Sequence, residues 1–195
     1  AAGQVLQFDR AHGDKHHRRH AGHRPQRELH SASRRIASRP AFARAGVRRV
    51  AVGALGYASE SVTVSVYPAL SRALVDSAWQ VREEAATTFA KTRSALGVPD
   101  LIRAMDDAYW QVRVKAARSL GKLKATAAVH VLGEATTHAV SNLRKEAVIA
   151  LGELGDTRGI APLERALKDS DPDVRKLAKL ALTSIQMNGN PGGAS

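Results

Sequence analysis

The tetrapeptide WQVR occurs twice in the chain, at residues 79–82 and 110–113, and the two copies contain both tryptophans. Each copy opens a similar stretch, WQVREEAATTFAK at 79–91 and WQVRVKAARSLGK at 110–122. The copies lie 31 residues apart, and sliding the chain against itself by 31 residues aligns further columns of like residues. We therefore interpret them as two copies of one structural unit rather than as two parts of one site.

The aligned columns predict an amphipathic helix, which we call helix B. Three apolar columns recur, namely Val81, Val112, Leu143 and Val174, then Ala85, Ala116, Ala147 and Ala178, then Phe89, Leu120, Leu151 and Leu182. Their i, i+4, i+8 spacing places them on one face of an α-helix. The clearest helix start is at Asp171 and Pro172, an expected N-cap followed by a proline at the first helical position.

A shorter helix A is expected before each helix B. Its apolar column is Leu70, Leu101, Leu132 and Leu163, and Pro68, Pro99 and Pro162 fall near its start, where a missing N–H costs least. A further copy, VRRVAVGALG at 47–56, matches at an offset of 34 residues. The extra residues fall around SESVTVSVYPAL at 59–70. We expect a lengthened loop there that runs into helix A, although its alternating valines have the period of a strand.

One helix pair cannot bury its own apolar stripe, so neighbouring pairs must stack on one another. Small residues such as Gly121 and Gly152 would let the helices approach closely. The sequence therefore predicts an all-α, right-handed α-solenoid of about four and a half helix pairs over residues 47–187. A flexible tail is expected at 188–195, and a basic, His-rich, disordered arm at 1–46.

The stretches VRVKAARSLGKL at 112–123 and LRKEAVIALGELGDTRGIAPLERALKDSDPDVRKLAKLAL at 143–182 resemble HEAT-like repeats of the short type, first named from phycobilisome lyase subunits. The resemblance implies an armadillo-like superhelix. Proteins with such repeats include bilin lyases, deoxyhypusine hydroxylases and scaffolds. The hydroxylases hold iron with adjacent His-Glu pairs, and this chain has no such pair, which argues against that activity.

The resemblance also implies roles for aspartates and arginines six residues apart: Asp76 and Arg82, Asp107 and Arg113, Asp169 and Arg175. In HEAT repeats such an Asp lies in the turn between helices A and B, and together with the Arg it bridges neighbouring repeats. From the residues alone the Arg column could bind phosphate, but the regular Asp partner favours an ion-pair ladder. The third pair has His138 in place of the Asp that would precede Arg144, so we expect a weaker or pH-sensitive link there.

Trp79 and Trp110 are the candidates for partner binding, together with Tyr109. Later copies have Ser141 and Pro172 at the tryptophan positions, so the fold does not require a large ring there. The alternative is that the rings pack against the A–B turns. The surface of helix B that faces away from the A layer is expected to be the concave side. Glu83 is a further candidate for partner binding on it, and Lys115, Arg118 and Lys145 are expected to set its charge preference. Its mixed charges favour a polypeptide over duplex DNA.

Composition excludes several classes of site. The chain has no cysteine, which excludes disulfides, thiolate nucleophiles and Cys-bound metals and suggests a cytoplasmic protein. It has no apolar run long enough to cross a membrane and no recognisable secretory signal. It does not begin with Met, as expected of a fragment. We predict no catalytic residue and no cofactor, because there is no Gly-rich phosphate loop and no Ser/His/Asp arrangement.

The arm at 1–46 carries ten Lys/Arg against three Asp/Glu and six of the eight histidines. Its charge suggests weak, non-specific contact with nucleic acid. His12, His16 and His20 would share one face of a helix, but Arg18 and Arg19 disfavour a cation, so no metal site is predicted. The sequence thus predicts a non-catalytic scaffold that binds another protein. The alternatives are a bilin lyase or isomerase subunit and a nucleic-acid-binding protein.

Overall fold

The computed structural model describes residues 40–57 and 63–188, which contain nine α-helices and no strand. In chain order these are α1 (Pro40–Leu55), α2 (Thr63–Ala73), α3 (Trp79–Thr92), α4 (Val98–Ala104), α5 (Trp110–Lys122), α6 (Val129–Ala135), α7 (Ser141–Leu154), α8 (Ile160–Ala166) and α9 (Pro172–Asn188). None of these helices is long and apolar enough to cross a membrane.

The helices form four A–B pairs, α2–α3, α4–α5, α6–α7 and α8–α9, preceded by α1 as a single B helix. Within a pair, the shorter A helix packs on its B helix, and each of α5, α7 and α9 packs extensively on the B helix before it. A short 3₁₀ turn connects each of α3, α5 and α7 to the next A helix. The predicted all-α solenoid of stacked helix pairs is therefore confirmed.

The predicted columns form the core. The four leucines of the A column and the first two columns of helix B are all at most 1% exposed, namely Leu70, Leu101, Leu132, Leu163, Val81, Val112, Leu143, Val174, Ala85, Ala116, Ala147 and Ala178. In the third column Phe89, Leu120 and Leu151 are buried, but Leu182 in the last helix is half-buried. Because every pair contributes the same columns, the core is continuous along the array.

Glycines set the distance between B helices at two places. A Cβ built on Gly121 would lie 2.9 Å from the Cα of Ala150 in the next B helix. A Cβ built on Gly152 would lie 2.8 Å from the Cβ of Ala181. Neither gap accommodates a side chain without moving the neighbouring helix, so these helices are packed at the closest approach that glycine permits.

The N-terminal part of the array differs from the expectation in two respects. Helix α1 begins at Pro40, so residues 40–46 are helical rather than part of the arm; proline suits the first helical position. Helix α2 begins at Thr63, where a loop was expected, and Pro68 lies inside this helix rather than near its start. The half-buried Val66 and Tyr67 contact the core, so burial outweighs the strand-like alternation and the cost of the proline.

The remaining residues, 1–39, 58–62 and 189–195, lie outside the described part of the chain. The predictions about the arm, its histidines and its contact with nucleic acid fall almost entirely within this undescribed region, as does most of the C-terminal tail.

Candidate interaction surface on the B helices

Arg82 on α3 and Arg144 on α7 each join their own helix pair to the next one, because different nitrogens of the guanidinium group bind the two pairs. In Arg82, Nη1 donates to the backbone oxygen of Asp76 at 2.8 Å, in the turn of its own pair. Nε and Nη2 donate to the Asp107 carboxylate in the next pair at 2.6 and 2.9 Å. Arg144 repeats this arrangement, with Nη1 on the His138 backbone oxygen and Nε and Nη2 on Asp169 at 2.7 and 2.8 Å. We call this set of contacts the arginine ladder.

The register of the ladder differs from the pairing expected from the sequence. Arg82, Arg113 and Arg175 each hydrogen-bond only the backbone oxygen of the aspartate six residues earlier. The carboxylate partners of Arg82 and Arg144 lie 25 residues later. The reason is the orientation of the Asp side chain. Asp107 Oδ1 caps its own turn by accepting the Tyr109 N–H at 2.9 Å, and in this orientation the carboxylate faces the arginine of the preceding pair. Arg48 and Asp76 form the same contact across 28 residues, because the three-residue insertion lies between them.

These contacts shift the acidity of the ladder carboxylates. Hydrogen bonds from Arg48 and Arg144 hold the pKa of Asp76 and of Asp169, respectively, below its ordinary value. Burial raises the pKa of Asp107, but the hydrogen bonds from Arg82 and from the Tyr109 N–H outweigh it, so the net shift is also downward. All three groups therefore favour the ionised form in the folded chain.

Acidification is expected to destabilise the protein through these carboxylates. Because their pKa values are lower in the folded than in the unfolded chain, their contribution is fully present above about pH 4 and is lost as pH falls through the folded values. Urea denaturation at a series of pH values should show a midpoint that declines below about pH 4. A midpoint that rises on acidification would contradict this assignment.

His138 interrupts the ladder in the third pair. Its Nδ1 accepts the Val140 N–H at 3.0 Å, which is the capping contact that the aspartates make in the other pairs. Its Nε2 lies 3.3 Å from Nη1 of Arg113. Since Nδ1 accepts a hydrogen bond, the proton of the neutral ring is on Nε2 and faces another donor. Arg113 thus has no carboxylate on this side among the described residues.

Replacing His138 with aspartate should complete the ladder and stabilise the protein by about 1 kcal/mol, because Arg113 would gain a charge-assisted partner at a part-buried site. Chemical denaturation measures the gain. The matched control is His138→Asn, which keeps an acceptor for the Val140 N–H without a negative charge. An aspartate variant no more stable than the asparagine variant would show that Arg113 does not accept this partner.

The aromatic residues at the start of α3 and α5 form a row at one edge of the B helices. The rings of Trp79 and Tyr109 stack, with centroids 5.5 Å apart and planes 13° apart, and the Arg82 guanidinium carbon lies 5.5 Å from the Tyr109 centroid. Trp79 is half-buried and contacts the core. Tyr109 and Trp110 remain 44% and 37% exposed. Trp79 therefore supports Tyr109, and the accessible part of the row is Tyr109 and Trp110.

The same positions in the last two pairs are polar. Ser141 and Asp171 correspond to Trp79 and Tyr109, and there Ser141 Oγ donates to Asp171 Oδ2 at 2.8 Å. The link between these positions is thus made either by a hydrogen bond or by an aromatic stack. The fold tolerates both, so the large rings are not required for stacking itself.

The four charged residues predicted to contact a partner all form ion pairs between consecutive B helices or with the start of the next one. Glu83 and Lys115 are 3.8 Å apart, Arg118 binds Glu146 through Nε at 2.9 Å and Nη2 at 2.6 Å, and Lys145 lies 3.0 Å from Asp171 and 2.9 Å from Asp173. The side chain of Arg118 is nevertheless 46% exposed. These residues therefore brace the array, and a partner would meet them already paired.

Comparison with known proteins agrees with this geometry. Residues 98–183 match a family described as HEAT repeats. The array of helix pairs therefore has a HEAT-like repeat fold, and the family match covers its part from α4 to α9. No match is found among curated proteins.

Solved structures share the HEAT-like architecture. The complex of CpcE and CpcF of phycocyanin lyase from Nostoc sp. PCC7120 is 24% identical, with a TM-score of 0.63, over 73% of this chain and 60% of that chain. Human deoxyhypusine hydroxylase is 22% identical, with a TM-score of 0.55, over 62% of this chain and 43% of that one. A designed armadillo repeat protein in complex with the peptide (KR)4 is 20% identical, with a TM-score of 0.53, over 69% and 72%. At these identities the likeness concerns the fold.

The structure also reveals a group of cations that the sequence analysis did not single out. Lys91, Arg93, Lys122 and Lys124 lie at the C-terminal ends of α3 and α5, in two neighbouring HEAT pairs, and we call them the basic cluster. Their spacing contains the signal, since Lys91 and Lys122, and likewise Arg93 and Lys124, are 31 residues apart. Within the described ranges, His, Asp and Glu residues form no group of three or more that could hold a metal ion.

Proposed function

We propose that this HEAT-like protein is a non-catalytic scaffold that binds a partner protein through the B-helix surface, with Tyr109 and Trp110 as the anchor. The observation that carries the proposal is the exposure of two large aromatic residues, adjacent in the chain, on a repeat fold that does not need them. Aromatic residues are enriched among the positions that dominate the energy of protein interfaces. The HEAT-like fold itself is consistent with protein binding, and a designed armadillo relative forms a complex with a peptide.

The surroundings of the anchor support binding with little rearrangement. Tyr109 contacts both the Trp79 ring and the Arg82 guanidinium, and Arg82 is itself fixed by Asp107 and by the Asp76 backbone. A ring held in this way loses little conformational entropy when a partner covers it. The anchor is therefore preorganised by the same contacts that stack the pairs.

The charged residues along the B helices suit a polypeptide partner. Glu83, Lys115, Arg118 and Lys145 offer both signs of charge within ion pairs, so the surface does not present the continuous basic track that duplex DNA prefers. In this proposal they contribute to the choice of partner at the rim of the contact, where charges affect association rate and selectivity more than affinity.

Replacing Trp110 with alanine should weaken partner binding by about 2 kcal/mol, roughly thirtyfold, with unchanged helicity. Capture from extracts of the source cells with wild-type and variant baits, compared by quantitative mass spectrometry, measures the loss. Leu96→Ala is the matched control, since Leu96 is 49% exposed at the other end of α3. Trp79→Ala is less suitable, because it removes the support of Tyr109 and part of the core packing.

The proposal fails if the proteins captured by the wild-type chain are retained equally by the Trp110 and Leu96 variants. It also fails if Trp110→Ala lowers the unfolding midpoint by as much as a core substitution does, since the ring would then be part of the packing rather than of the contact surface.

The alternative function is that of a bilin lyase or isomerase subunit acting on phycobiliproteins. One observation favours it, the similarity to the phycocyanin lyase structure. This chain spans 60% of the length of that relative, so the likeness does not extend to the whole protein. Titration with phycocyanobilin distinguishes the two functions. A red-shifted, structured absorption band would support the lyase, and a spectrum identical to that of the free pigment would exclude this pigment as its cargo.

A further inference from the structure

The basic cluster is a second surface with features that the stacking of the HEAT pairs does not explain. It surrounds an open cavity of about 730 Å³ between the C-terminal ends of α3 and α5. The cavity is lined by Thr87, Ala90, Lys91, Arg93, Lys122, Leu123 and Lys124, without a carboxylate among these residues. We propose that the basic cluster binds a short acidic segment of a polypeptide, at a site separate from the aromatic anchor.

The cations of the cluster are weakly compensated. Lys91 lies 4.0 Å from Glu84, at the limit of an ion pair, and 5.6 Å from the Tyr57 ring centroid. Arg93, Lys122 and Lys124 form no ion pair within the part of the chain that the structure describes, and all four side chains are exposed. Burial raises the pKa of the nearby Glu153, and the charges of Lys122 and Lys124 offset part of that rise without forming a contact. By contrast, Arg118 in the middle of α5 binds the Glu146 carboxylate of the next B helix through Nε and Nη2.

Two of the cations occupy backbone positions that favour glycine. Arg93 and Lys124 have φ angles of 52° and 49°, in the left-handed region, and the corresponding residue of the third pair is Gly155, with a φ of 69°. A residue with a Cβ pays a conformational cost there that glycine does not. The array thus holds a cation at this position twice, although the third pair shows that glycine fits. Strain retained in this way indicates a role other than stability.

Interaction with the helix dipole does not account for these two residues. Cations near a helix C-terminus are favourable, but Lys91 and Lys122 already lie in the last turns of α3 and α5, where the backbone is helical. A further cation at the left-handed position adds little to that effect. The positions of Arg93 and Lys124 are better explained by a ligand that meets both of them across the cavity.

The extent of the cluster identifies the class of ligand. In the next pair, Glu153 and Gly155 occupy the positions equivalent to Lys122 and Lys124. The positive charge is therefore confined to two neighbouring B helices, whose axes are roughly 10 Å apart. A nucleic acid needs a longer track of cations to bind with useful affinity. A segment with a few Asp or Glu side chains matches this span. The aromatic anchor lies about 20 Å away, at the other end of the 13-residue helix α5.

The test uses the full chain and a fluorescein-labelled hexaglutamate peptide at low salt, with fluorescence anisotropy as the readout. The double substitution Arg93→Gly and Lys124→Gly should weaken peptide binding about fivefold. The same variant should raise the melting temperature by about 3 °C, because glycine relieves the backbone strain. The matched control, Arg165→Gln with Lys179→Gln, removes the same charge at exposed positions elsewhere and should change affinity less than twofold.

A gain in stability with unchanged peptide affinity would overturn the proposal, because the strained cations would then have no binding role. A loss of stability would overturn the strain argument on which it rests. If both double variants lose the same affinity for the peptide, the loss comes from the lower net charge of the protein, and the proposed site is wrong. If the Arg93→Gly, Lys124→Gly variant binds a fluorescein-labelled oligo-dT more weakly but binds the peptide as the wild type does, the cluster is a nucleic-acid site instead. Trp110→Ala should leave peptide binding unchanged, which separates this result from the proposed function.

Discussion

Replacing Gly121 with leucine is expected to lower the free energy of unfolding by about 3 kcal/mol, because the side chain has no space between α5 and α7. Even a Cβ at this position would lie 2.9 Å from the Cα and 3.0 Å from the Cβ of Ala150. The first of these is a backbone atom, so the conflict is relieved only by moving α7 away from α5. Urea denaturation followed by circular dichroism measures the loss.

Gly133→Ala is the control for this substitution. Gly133 also lies inside a helix, α6, but its nearest neighbour would be Pro162 Cγ at an ordinary 3.4 Å. Alanine should therefore be neutral or slightly stabilising there, since it favours helix more than glycine does. If Gly121→Leu is as stable as Gly133→Ala, the B helices are not packed as closely as described.

Replacing Asp107 with alanine is expected to cost about 3 kcal/mol, because it leaves a part-buried guanidinium without its anion. The side chains of Arg82 and Asp107 are only 14% and 8% exposed, and Asp107 also accepts the Tyr109 N–H. The substitution removes both contacts at the junction of the first two pairs. The loss should appear in the free energy of unfolding measured by chemical denaturation.

The adjacent Asp106 provides the control for Asp107. It is exposed and makes no side-chain hydrogen bond or ion pair with the described residues, so Asp106→Ala should change stability by less than about 0.5 kcal/mol. Similar losses for the two aspartates would mean that net charge, rather than the contact with Arg82, determines the effect.

The repeat columns predicted the fold because every pair obeys the same burial pattern. The aligned valines, leucines and alanines are buried, except for the half-buried Leu182, and the small residues at Gly121 and Gly152 do mark close approach. The pattern was less informative at the N-terminal end, where Val62, Val64 and Val66 alternate as in a strand, yet Thr63–Ala73 is a helix. Packing of Val66 and Tyr67 on the core decides that segment, and packing partners are not visible in local spacing.

The ladder shows what spacing within one repeat cannot reveal. Asp76 and Arg82 are six residues apart in the sequence, but the contact that joins neighbouring pairs runs from Arg82 to Asp107. Which of two equivalent aspartates an arginine meets depends on how the pairs stack. The basic cluster was missed for a related reason, because its cations become neighbours only when α3 and α5 pack together, and the left-handed backbone at Arg93 and Lys124 has no signature in residue type.

The ladder and the aromatic anchor share residues, which links stability to recognition. Arg82 joins two pairs through Asp107 and at the same time lies against the Tyr109 ring. We therefore expect substitutions at Arg82 to weaken both stacking and partner binding, whereas Trp110→Ala should affect binding alone. Comparing the two variants therefore distinguishes residues that stabilise the array from residues that only contact the partner.

The central claim is that an arginine of one pair reaches forward to the aspartate of the following pair, as Arg82 does to Asp107 and Arg144 to Asp169. A double-mutant cycle on Arg82 and Asp107, with a second cycle on Arg82 and Asp76, tests it most directly. We predict a coupling energy of about 2 kcal/mol for Arg82 with Asp107 and less than about 0.5 kcal/mol for Arg82 with Asp76. Coupling of Arg82 to Asp76 instead would contradict the stacking described, and with it the rigid surface on which the proposed function depends.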